Sequence, residues 1–255
     1  RLKDYANYVW NKHGNDTYII LEHLADNSEE KALADAGMIL WGKMTQNYNQ
    51  STMGFSSDSD ISWGYYKNRN FNNPNLVTYM ESHDEERLMY KNLQFGNSDG
   101  GYSVKNLNTA LSRQELAGVF FFTIPGPKMI WQFGELGYDI GIDENGRTGK
   151  KPILWNYEDV EARKKIYDTW ATLIAFKKNH AVFSTSDVLL NVSGLVKRIN
   201  LKHADNNVTI IGNFDVVPRA INPNFSSIGT WYEYFSSATK DVTNVSESMT
   251  LKPGE

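Results

Sequence analysis

Apolar positions along the chain fall into two kinds of run, and the kinds separate. In the first 180 residues, short continuous apolar stretches alternate with longer segments of helical spacing. Tyr18-Ile19-Ile20-Leu21, Met38-Ile39-Leu40-Trp41, Leu76-Val77-Thr78-Tyr79-Met80 and Met129-Ile130-Trp131-Gln132-Phe133 read as strands buried on both faces. Between and around them, helices are predicted over residues 1–14 (Leu2, Tyr5, Val9 and Trp10 on one face), from Asp26-Asn27-Ser28 to Gly37, over Met44–Met53, and over Thr109–Phe122 with Asn108 as cap. A further helix is predicted over 159–178, where Ile166, Trp170, Leu173 and Ile174 recur at helical spacing. Ser56–Asn75, Asn92–Asn106 and Tyr138–Lys150 are rich in Ser, Asp, Asn and Gly and read as surface loops.

From about Val182 the pattern changes. Residues 194–199, 208–211, 230–235 and 248–251 are short β segments separated by Asn, Gly and Pro turns, with no helical period among them. Two parts are therefore expected: 1–180, in which strand and helix alternate, and 181–255, a small antiparallel β-sandwich. Four successive strand–helix units with doubly buried strands indicate a parallel sheet, and four units are half of an eightfold barrel. A doubly wound open sheet competes, but no strand is followed by a Gly-rich phosphate turn. The chain opens at Arg1 and closes on Lys252-Pro253-Gly254-Glu255, a turn after an apolar alternation. Both ends are expected to be cuts inside a longer protein, the second truncating the sandwich.

Composition narrows the partners. A formal net charge of −4 leaves no basic footprint for nucleic acid and no polybasic patch for a membrane surface, and no apolar run is long enough to span a bilayer. With no cysteine there is neither a disulfide framework nor a thiolate metal site. Seven Trp and 14 Tyr supply flat faces on which sugar rings stack, although core packing is the default for Trp41, Trp63, Trp131 and Trp155.

The titratable groups mark where chemistry would sit. Glu22 and Asp84 each follow an apolar strand directly, and each has an adjacent histidine, His23 and His83. In a parallel α/β architecture the ends of different strands converge on one pocket. A pair of acids there suits glycoside hydrolysis: one protonates the leaving oxygen, and another charge stabilises an oxocarbenium-like transition state. The acid must keep its proton near neutral pH, which a partly apolar pocket favours. Other groups read more plainly. His13, His180 and His203 show no metal-ligand spacing, Glu135 reads as a loop anchor, and Asp143-Glu144-Asn145-Gly146 lacks the alternating ligands and distal Glu of a calcium loop. No metal and no cofactor is expected.

Three ordered stretches make the reading more specific. Glu22 within Y-I-I-L-E-H, the E-S-H-D of Glu81–Asp84, and the T-I-P-G-P-K-M-I-W-Q-F-G-E of Thr123–Glu135 resemble signatures of the α-amylase family of glycoside hydrolases. The helix after Trp155 and the β-rich tail sit where that family places its last barrel helix and its C-terminal sandwich, so the resemblance covers essentially the whole chain. It implies that Glu22 is the general acid/base and that Asp84 is the third carboxylate, which binds sugar hydroxyls and stabilises the transition state. It also implies that His83 hydrogen-bonds a sugar hydroxyl and that His23 lines the leaving-group side.

The family's nucleophile, an Asp at the end of the strand before the one bearing Glu22, has no counterpart here, since residues 1–14 read as the helix after that strand. The parent is then a retaining enzyme acting on α-glucans, and this piece alone is inactive. Branching or other transglycosylation within the same family is the alternative. A non-catalytic carbohydrate-binding or scaffolding protein is the alternative of another class. A half barrel leaves open edges, so the missing N-terminal half or a second copy is the expected protein partner, and an α-glucan the expected ligand. A polymeric substrate favours an exported protein; nothing in the residues fixes the compartment.

Overall fold

The computed structural model describes residues 1–255. Helix α1 spans Leu2–His13 and ends at Gly14, whose φ of +98° suits a residue without a side chain. Then come β1 (Ile20–Leu21), α2 (Asn27–Ala34), β2 (Ile39–Lys43), α3 (Thr45–Met53), β3 (Leu76–Tyr79) and α4 (Leu88–Phe95). A short ribbon, β4 (Ser98–Asp99) and β5 (Tyr102–Ser103), precedes α5 (Leu107–Thr123), β6 (Lys128–Met129) and α6 (Glu161–Asn179). Strands β1, β2, β3 and β6 form one sheet in that order, every pair parallel, with Ile20 opposite Ile39, Leu40 opposite Leu76 and Thr78 opposite Lys128. Parallel neighbours need a crossover between them, and the helices supply it.

The remaining strands pair only antiparallel. They are β7 (Asp187–Asn191), β8 (Val196–Lys202), β9 (Asn207–Asn213), β10 (Arg219–Ile221), β11 (Gly229–Tyr232), β12 (Thr239–Val242) and β13 (Met249–Leu251). They make a three-stranded sheet β7-β8-β9 and two ribbons, β10-β13 and β11-β12. The molecule is thus mixed α/β with several sheets. Its core is continuous: Leu40 and Leu76 of the parallel sheet, Phe120 and Phe121 of α5, Trp170 of α6 and Ile199, Ile210 and Phe214 of the β-rich part belong to one cluster of 33 buried residues.

Two buried cations stitch these layers with main-chain carbonyls as their acceptors. Lys197 Nζ donates to Ser59 O (2.7 Å), Val192 O (2.8 Å) and Gly194 O (2.6 Å). Arg113, on α5, donates to Ser51 O (3.0 Å), to Thr52 O and to Phe214 O. Helices α5 and α6 approach so closely that a Cβ on Gly118 would stand 2.1 Å from Trp170 Nε1.

Several expectations are corrected. Ser56–Asn75 is not a surface loop. It holds two 3₁₀ turns, Ser62–Gly64 and Tyr66–Arg69, with Ile61, Tyr65, Tyr66 and Phe71 buried. Its polar groups bond inward: Arg69 pairs with Glu30 of α2 at 2.8 Å, and Ser59 Oγ donates to Ser193 O at 3.2 Å. Asn92–Asn106 is not structureless either, since α4 runs into it and Gly100-Gly101 turns the β4-β5 ribbon. The α5 cap is Asn106, not Asn108; its Oδ1 accepts from the main-chain N–H groups of Asn108 (3.0 Å) and Thr109 (3.4 Å). The first strand is not doubly buried, because β1 is an edge with a partner on one side only: Ile20 is 54% and Tyr18 82% exposed. The fourth strand stops at Met129, and Phe133 turns the chain with φ +58°.

Candidate functional site

All four residues of β3 are buried, so the chain leaves the sheet with Met80 and the motif Glu81–Asp84 follows at the strand's C-terminal end. What shapes that motif is a buried arginine. Arg87, 1% exposed, donates from Nη1 to Ser82 O (2.6 Å) and Glu85 O (2.7 Å), curling the segment around its guanidinium. Glu81 and Ser82 are drawn inside, while His83 and Asp84 are left outside with roughly half their side-chain surface exposed. Glu81 Oε1 accepts the N–H of Leu88 at 2.7 Å, satisfying a free donor at the start of α4. Burial raises its carboxyl to about 7, against the Leu88 N–H and the Arg87 charge, which pull the other way.

The end of β1 delivers Glu22. Its Oε1 stands 3.6 Å from His83 Nε2, across the intervening strand β2. The His83 ring is flanked by Trp41 of β2 and by Trp131, just past β6, each with its ring centroid 5.9 Å away. Trp41 also meets Tyr79 edge-on at 5.0 Å. Alternation along β2 sets Trp41 and Lys43 on one face of the sheet, and Lys43 Nζ reaches Glu85 Oε1 at 3.0 Å. Ser82 Oγ donates to the other oxygen of Glu85. The Tyr79 hydroxyl is pushed up first by burial, then by the charges of Glu85, Glu22 and Asp84.

The two acids predicted from sequence therefore lie on the same lip, with His83 between the strand ends. The apolar enclosure expected around Glu22 is not formed by this chain, since half of its side chain is open to solvent. His23 Nε2 bonds Glu29 Oε1, in the first turn of α2, at 3.1 Å. Asp84 meets a residue not anticipated from sequence, Arg147, whose Nη2 reaches both Asp84 O (2.6 Å) and Oδ1 (2.9 Å).

Lys43 was findable, because it ends a strand as Glu22 does. Arg147 was not, because it comes from a loop some sixty residues downstream. No three metal-ligating side chains gather in the molecule, and no helix is long and apolar enough to cross a membrane. A cavity of about 930 Å³ lies elsewhere, between α5, α6 and the β-rich part, lined by Leu116, Phe176, Ile210, Trp231 and Tyr234, with Glu233 and Glu255 at its wall.

No protein-family model matches the sequence, and no curated protein matches it. Solved structures do match. The α-amylase of Geobacillus thermoleovorans complexed with acarbose superposes with a TM-score of 0.73 at 14% identity, over 99% of this chain and 55% of that one. A cyclomaltodextrinase gives 0.69 at 13% identity, over 98% and 41%. The acarbose-soaked debranching enzyme of Nostoc punctiforme gives 0.62 at 16% identity, over 99% and 52%. At these identities the likeness is one of fold. The chain spans about half the length of the structures it matches.

Proposed function

We propose that this chain is the acid/base-bearing part of a retaining glycoside hydrolase of the α-amylase family, acting on α-glucans. On this reading residues 1–180 are the last four βα units of a (β/α)8 barrel and 181–255 a C-terminal β-sandwich domain. Glu22 protonates the glycosidic oxygen as the bond breaks, then deprotonates the acceptor that resolves the glycosyl-enzyme. Asp84 accepts hydrogen bonds from ring hydroxyls and stabilises the positive charge of the transition state. His83 donates to a hydroxyl of the same sugar. Trp41 and Trp131 offer apolar faces on either side. His23 holds the start of α2 through Glu29 and borders the leaving-group side from there.

The observation that carries the reading is the meeting of Glu22 and His83 at 3.6 Å from non-adjacent strands, with Asp84 next in the chain. Parallel sheets place residues of different strands at one mouth in this way, and such mouths are where barrel enzymes work. The fold likeness to amylase, cyclomaltodextrinase and debranching structures supports the substrate class. The nucleophile belongs to a part of the barrel outside these residues, so the piece alone does not turn over. Strands β1 and β6 each have one unpaired edge, which the other half of the barrel, or a second copy, covers.

The test is amylose turnover by the complete parent, with products analysed. Glu22→Gln should lower it by about 10²–10⁴. Equal activity in that variant would reject the assignment, and a parent binding amylose without converting it would favour a scaffolding protein. New branch points in place of new reducing ends would mark transfer. Hydrolysis by residues 1–255 alone, above a Glu22→Gln control, would refute the external nucleophile.

A further inference from the structure

We propose that Arg147 is a positioning residue for Asp84, presented by a loop that Lys151 holds closed. The inference rests on the functional reading for its ligand, a sugar hydroxyl, but its geometry stands apart from that reading.

The loop after Ile142 is tightly wound. Asn145 and Gly146 are left-handed in succession, with φ +58° and +79°. Gly149 N–H donates to Gly146 O at 2.9 Å, and a Cβ on Gly149 would stand 1.9 Å from Asn145 O. Asn145 Nδ2 donates to Lys150 O at 3.0 Å. The Lys151 ammonium closes the ring from within, reaching Glu144 O (2.7 Å), Gly146 O (2.8 Å) and Arg147 O (3.5 Å). The loop is moored to the lip independently of Arg147, through the Ile142 N–H to Glu86 Oε1 at 2.9 Å.

The guanidinium is thereby delivered to its target. An exposed ion pair formed by two free side chains contributes little, because ordering both offsets most of the attraction. Here the loop's own hydrogen bonds have already ordered the main chain that carries Arg147, so less freedom is lost when the contact forms. Nη2 reaches Asp84 O and Oδ1 together, which fixes the carboxylate's rotation and leaves Oδ2 without a protein partner. One oxygen is held and the other is presented, an arrangement suited to accepting a hydroxyl in a defined direction.

Because a single nitrogen makes both contacts, an ammonium can replace it. Three-bond couplings across the Asp84 side chain, measured by NMR on residues 1–255, should report one rotamer in the wild type and averaging in Arg147→Gln. Arg147→Lys should restore the single rotamer. Lys151→Met should also release Asp84, although Lys151 never touches it. Unchanged thermal midpoints would show that these exposed substitutions leave the fold intact. Titration with maltotriose should then be about tenfold weaker for Arg147→Gln than for wild type or Arg147→Lys. One rotamer in all four proteins, or averaging in the wild type, overturns the proposal. So does equal maltotriose affinity in wild type and Arg147→Gln. A flat maltotriose titration of the wild type, with the rotamer differences present, would sink the functional reading and leave the positioning of Asp84 by Arg147 supported.

Discussion

His83 Nε2 lies 3.6 Å from Glu22 Oε1, joining the ends of two strands that are separated in the sheet by a third. The bridge passes beside Trp41 of that middle strand, whose ring is 5.9 Å from the imidazole. Neither residue could meet the other if the sheet order or the strand direction differed, so the contact reports the fold as much as the site. On the proposed reading, replacing His83 by Ala removes a ligand of a sugar hydroxyl and the ring that stands beside Glu22. The parent's kcat/KM on amylose should then fall by about ten- to a hundredfold, as expected for the loss of one hydrogen bond to the substrate. A change below twofold would mean that the ring only packs.

Glu81 should make stability pH-dependent. Its carboxyl is raised in the folded chain to about 7 from 4.5, so between those values the folded state binds more protons than the unfolded state. Stability therefore falls as pH rises from about 4.5 to 7 and is level above. The full effect is at most about 3 kcal/mol. Glu81→Gln keeps an oxygen for the Leu88 N–H and has no proton to lose. Urea midpoints for this variant should lose that component of the pH slope, while wild type keeps it.

Lys197 and Arg113 hold the β-rich part to the rest, and both touch Phe214: the ammonium lies 5.6 Å from its ring, and the guanidinium donates to its carbonyl. Lys197→Met removes three hydrogen bonds to main-chain carbonyls, of which Ser59 O keeps Ser51 Oγ (3.2 Å) and Val192 O keeps the Ile61 N–H (3.5 Å), and should cost about 3 kcal/mol. Because the two cations share a neighbour, Lys197→Met combined with Arg113→Met should depart from the sum of the single variants by more than about 0.5 kcal/mol in chemical denaturation. Strict additivity would show that they act as separate staples.

Gly118 is a packing glycine in a helix, not a flexible one. A methyl group there would collide with the Trp170 indole, whose Nε1 also donates to Gln114 O at 3.2 Å. Gly118→Ala gains helix propensity of about 1 kcal/mol yet should lose roughly 1–3 kcal/mol net by forcing α5 and α6 apart. A stabilised variant in thermal unfolding would contradict the closeness of this helix pair.

The unpaired edges of β1 and β6 predict association. Size-exclusion light scattering of residues 1–255 should show dimers or larger species, and adding the complementary half of the barrel should disperse them into a one-to-one complex. A compact, stable monomer would count against this.

Much of this was legible in the sequence because it is local. An apolar run stopping at an acid marks a strand end, and Ile166, Trp170 and Leu173 declare the buried face of α6 within three turns. The failures share a cause. Ser56–Asn75 looked wet because its polar side chains are numerous, but partners as remote as Glu30 and Ser193 fold them inward. Helix α4 was hidden by the charged motif before it, although Glu81 supplies its first N–H with an acceptor. Tyr18–Leu21 has the composition of a central strand, and within residues 1–255 the outer side of β1 has no partner strand. At the site, Glu22, His83 and Asp84 were reachable because each follows a strand. Arg147 was not, since nothing near it in sequence says which strand end its loop will face.

The most direct test of the central claim is to map acarbose or maltotriose onto residues 1–255 by chemical-shift perturbation. The largest changes should fall together on Glu22, His83, Asp84, Trp41 and Trp131. Changes confined to the groove of Phe176, Trp231 and Tyr234, or changes at Glu22 without any at Asp84, would contradict it.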